Sequence, residues 1–93
     1  MGFTIDNRRF GLVLASDVNP RDGLGWQLWE YTNRKSVLLL EIFRHDDLKK
    51  ISFETFEPMD IPYEALEIVL NDFNTTGGRN FIVDPEEDSE ETT

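Results

Sequence analysis

KSVLLLEIFR, residues 35–44, is the stretch whose reading decides the fold. Val37, Leu39 and Phe43 alternate with Leu38, Leu40 and Ile42, so an extended chain carries apolar side chains on both faces. An internal strand covered on both sides has this pattern. A helix is the competing reading, but Asn33-Arg34 before the run and His45-Asp46-Asp47 after it bound a strand. The stretch is therefore expected in the middle of a small sheet.

Downstream, a turn at residues 45–48 leads into KKISFETFE, residues 49–57. Ile51, Phe53 and Thr55 share one face, and Lys50, Ser52 and Glu54 the other. That alternation marks a strand with one wet face, at or near the sheet edge, where Lys49 and Lys50 would discourage edge-to-edge pairing. Pro58 stops it, and Asp60 with Pro62 announces a helix. Pro62, Leu66, Val69, Leu70 and Phe73 fall on one helical stripe, with Glu64, Glu67, Asn71 and Asn74 on the other side. Thr75-Thr76-Gly77-Gly78 supplies the stop, a glycine being free to take the left-handed cap.

Upstream, WQLWEYT, residues 26–32, is the preceding strand. Trp26, Leu28 and Glu30 point one way and Gln27, Trp29 and Tyr31 the other, so one tryptophan lies away from the helix. The longest break is DVNPRDGLG, residues 17–25. Its acids resemble a calcium loop faintly, but Asp22 comes one residue late and Leu28 stands where the closing Glu belongs. Earlier still, residues 3–6 and 9–16 form either a first hairpin or one long strand bulged near Asn7.

The order predicts an α+β fold, an antiparallel four- to five-stranded meander followed by one C-terminal helix. A single domain is expected over residues 1–83 and a disordered acidic tail over 84–93. Four strands about 4.8 Å apart make a sheet wider than one helix of about 10 Å can cover. Something must also shield the second apolar face. A homodimer is the economical answer, and a sheet curled on itself the alternative.

The 93 residues carry a formal charge of −10, six of whose acids stand in the last ten positions. The rest of the chain is mildly acidic, which disfavours nucleic acid as a partner. No cysteine is present, which excludes disulfides and thiol chemistry and fits the cytoplasm. No apolar run is long enough to cross a membrane. The only histidine, His45, is expected in an exposed charged turn beside Asp46 and Asp47, without a positioned nucleophile or metal-ligand spacing. Gly77-Gly78 follows a helix rather than preceding one, the wrong end for a phosphate. Neither enzymatic activity, a metal nor a cofactor is expected.

Two binding classes remain. One is a small accessory or inhibitor-like protein-binding domain. It would offer Asp17, Asn19, Arg21 and Asp22 of the loop with Glu64 and Glu67 of the acidic helix face to a basic protein. The other is a single-stranded nucleic-acid binder. Arg8, Arg9, Arg34, Lys35, Arg44, Lys49 and Lys50 gather near turns, and Trp29 and Tyr31 could stack bases. Four strands and a helix, dimerised, are similar in outline to single-stranded-DNA-binding coactivator domains, a likeness of architecture without a shared motif.

Overall fold

The computed structural model describes residues 1–16 and 22–82. Residues 84–93 of the expected tail, and Asp17, Asn19 and Arg21 of the loop, lie outside the described residues. Asp6 and Asn7 take left-handed backbone, φ 52° and 63°, as a two-residue hairpin turn requires. They join β1 (Gly2–Ile5) to β2 (Arg8–Ser16), so the N-terminal segment is a hairpin and not one bulged strand.

β3 (Gly23–Tyr31), β4 (Ser36–His45) and β5 (Lys50–Thr55) follow. Each strand pairs antiparallel with its sequence neighbour, in the order β1-β2-β3-β4-β5, and α1 (Tyr63–Thr75) closes the α+β fold. β4 is internal, but the added N-terminal hairpin makes β3 the middle strand. Gly23 and Gly25, read from sequence as loop, belong to β3.

The expected alternation of β4 fails at one point. Leu28 lies opposite Leu40 and Trp29 opposite Leu38, which leaves Leu39 as the extra residue of a β-bulge. The bulge shifts the phase. Leu39, Leu40 and Ile42 all enter the core, whereas Leu38 pairs with Trp29 on the far face.

That core comprises Phe10, Leu12, Trp26, Leu28, Leu39, Leu40 and Ile42 from the sheet and Ala65, Val69 and Phe73 from α1. The Phe73 ring meets Trp26 edge-on, centroids 4.9 Å apart. The buried helix positions are Ala65, Val69 and Phe73, not the full stripe expected. Leu66 is half-buried and Leu70 exposed, because they lie on the flank of α1 that turns toward β5. Pro62 caps the start of α1, and Gly77, at φ 83°, ends it while the Gly78 N–H donates to the Phe73 carbonyl at 2.8 Å.

The face away from α1 has no second layer among the described residues, yet Glu41 and Phe43 on it are buried within one chain. Gly11 and Gly25 explain this. The Tyr31 ring lies where a Gly11 side chain would stand, and Glu41 and Phe43 cover Gly25. Side chains lying flat over glycines therefore shield that face in part, without a second chain.

Candidate functional site

Two arginine clamps hold α1 across the sheet. At its start, Arg8 grips Glu30 through two parallel hydrogen bonds, Nε to Oε2 and Nη2 to Oε1, both 2.8 Å. Arg8 Nη1 also donates to the Asp60 carbonyl at 3.0 Å, just before the helix. The hydrogen bonds from Arg8 hold the Glu30 carboxyl below its usual range, and those to Glu30 raise the guanidinium. At the far end, Arg44 donates through Nε to Asp46 Oδ1 at 2.9 Å and through Nη1 to the Gly77 carbonyl at 3.1 Å. Asp46 Oδ1 also accepts the Ile82 N–H at 2.9 Å. Asp46 opens the turn that follows β4, two residues after Arg44.

Held in this way, α1 leaves a groove on each flank. The groove toward β1 measures about 610 Å³. Met1, Phe3 and Ile68 form its apolar part, and Glu64, Glu67 and Asp72 supply carboxylates. Among the described residues, no lysine or arginine lines it. The groove toward β5 measures about 520 Å³ and is lined by Ile42, Ile51, Phe53, Leu66, Leu70 and Phe73, with Asn74 and Arg79 at its end. Each groove runs beside an edge strand of the sheet.

Glu64 and Glu67 thus come together in the β1-side groove. Trp29 and Tyr31 lie on the opposite face of the sheet, where Trp29 Nε1 donates to Gln27 Oε1 and Gln27 Nε2 to Glu41 Oε2, both at 2.9 Å. Asp22 sits at the other end of the helix. Its carbonyl accepts the Asp46 N–H at 2.8 Å, beside the Arg44 that holds Gly77. The 13 residues of α1 span about 20 Å, so Asp22 and Glu64 lie nearly a helix length apart.

His45 differs from its expected place. It ends β4, its Nε2 2.9 Å from Ser52 Oγ and its ring against Phe43 at 4.7 Å. Among the described residues, no group of three His, Asp or Glu side chains has the geometry to hold a metal ion. No helix among them is long and apolar enough to cross a membrane. The β5-side groove was not singled out from sequence, although the width of one helix against the sheet implies such a surface. Comparison with protein-family models, with curated proteins and with solved structures finds no match for the chain.

Proposed function

We propose that the domain is a non-enzymatic accessory module that binds a basic protein through the groove between α1 and β1. One observation carries this reading. Glu64, Glu67 and Asp72 border a partly apolar channel that no described lysine or arginine lines, next to the edge strand β1. An extended segment with lysine or arginine beside apolar side chains fits such a channel. The carboxylates would steer it in, and Met1, Phe3 and Ile68 would bury its apolar part. Arg8 and Arg44, counted from sequence among the cations for nucleic acid, are engaged with Glu30 and Asp46, which favours the protein partner.

Affinity capture from the source organism's lysate tests this, with the native chain and a Glu64→Lys/Glu67→Lys variant as paired baits. A basic protein held by the native chain and lost by the variant is the expected outcome. Equal retention by both baits, or binding of single-stranded DNA in its place, overturns it.

A further inference from the structure

β5 is an edge strand whose faces differ. Ile51 and Phe53, 41% and 59% exposed, floor the apolar groove, while Lys50, Ser52 and Glu54 take the other face. Among the described residues no strand pairs with the outer side of β5, and this open ladder can be located as well. The Phe56 N–H donates to the Leu39 carbonyl at 3.0 Å, in the same register as β4–β5. Alternation from that pair turns the backbone groups of Lys50, Ser52 and Glu54 toward β4, and those of Ile51, Phe53 and Thr55 toward the open edge.

We infer that β5 pairs antiparallel with β5 of a second copy of this chain, about a two-fold axis at Ser52. The strand is complementary to itself in this register. Ile51 lies opposite Phe53 of the second copy on the groove face, and Lys50 lies opposite Glu54 on the other. Both relations occur twice by symmetry. Within one chain, Glu54 is directly opposite Glu41 and Lys50 opposite His45, so neither finds the opposite charge on β4. The second copy supplies it.

Sliding the strands by two residues sets Ser52 against Lys50 or against Glu54 and loses both charge pairs. Sliding by one sets apolar against polar side chains. Lys49 and Lys50, which blunt this edge against unrelated strands, do not block a copy, because Lys50 meets a carboxylate there. The two apolar grooves then join into one trench, floored by Ile51 and Phe53 and walled by Leu66 and Leu70 of both copies. This interface lies at the opposite edge from the acidic groove and does not depend on it.

Sedimentation of the full chain across the micromolar range tests the inference. A dimer is expected. Glu54→Lys and Lys50→Glu, each placing like charges opposite one another twice, should raise its dissociation constant by about tenfold or more. The double exchange Lys50→Glu/Glu54→Lys should restore it. Because the chain has no cysteine, Ser52→Cys offers a second measurement. Paired residues at a non-hydrogen-bonded position have Cα atoms about 4.5 Å apart, within disulfide range, so mild oxidation should join two copies. Thr4→Cys on β1 should not be joined. A native chain that stays monomeric, single variants that associate as the native chain does, or a double variant that fails to recover overturns the inference.

Discussion

The two flanks of the helix are finished in opposite ways. Toward β1 the groove is acidic and toward β5 it is apolar. The ends differ as well, since the Arg8–Glu30 pair at the helix start is partly wet, 27% and 11% exposed in its side chains, and the Arg44–Asp46 pair at the far end is nearly dry, at 5% and 10%. Both flanks exist for one reason. A helix about 10 Å wide lies on five strands whose outer members stand about 19 Å apart. Uncovered sheet is therefore unavoidable, and by itself it identifies no partner. The two proposed partners follow instead from the chemistry of each margin, carboxylates for a basic protein and a self-complementary apolar edge for a second copy.

The largest effect is expected at the dry clamp. Asp46→Ala leaves the buried Arg44 unpaired and releases the Ile82 N–H, and should cost about 3–5 kcal/mol in urea unfolding. A loss no greater than that of Glu30→Ala would erase the distinction between the clamps.

Leu39→Ala, in the core beneath both flanks, should cost about 2–5 kcal/mol through the cavity it leaves. Leu38→Ala, on the far face beside Trp29, should cost less. Equal losses would mean that the bulge does not divide these neighbours between faces.

At the wet clamp, Glu30→Gln should cost about 1.5–3 kcal/mol at neutral pH, the range for hydrogen bonds to charged groups. The folded carboxyl is held below its unfolded value of about 4.3. Its contribution is therefore complete above that pH and is lost as pH falls through the folded value. The variant should show a shallower acid loss of stability than the parent. An unchanged slope in acid titrations followed by circular dichroism would remove Glu30 from the account.

The smallest effects on folding belong to the margins themselves. Phe53→Ser, measured where the chain is dilute, and the Glu64→Lys/Glu67→Lys pair should each shift stability by no more than about 0.5 kcal/mol. Binding should change instead, self-association for the first and the rate of capture of a basic partner for the second. A large loss of stability in either would make that margin part of the core.

Some of this was legible in advance. Trp26, Leu28 and Glu30 do share the helix-covered face, and Trp29 with Tyr31 the other, because a strand alternates wherever nothing interrupts it. The β4 stretch misled at Leu39, since a bulge depends on the register between two strands and leaves no mark in the pattern of one. Glu30 shares its face with Trp26 and Leu28. Only the arrival of Arg8 from the neighbouring strand shows why it can be buried.

While the turn at Asp6-Asn7 was decided only by the structure, the sequence by itself determined the order of the elements, the meander, and the helix limits at Pro62 and Gly77. These follow from turn chemistry and from periodicity over a few residues, which adjacent side chains carry. Tertiary structure alone decided where the helix came down. Ala65, Val69 and Phe73 seat it over Trp26, and the two clamps hold its ends. That position, set by packing among residues up to 52 apart in the chain, leaves Phe53 exposed on one margin and Glu64 and Glu67 on the other.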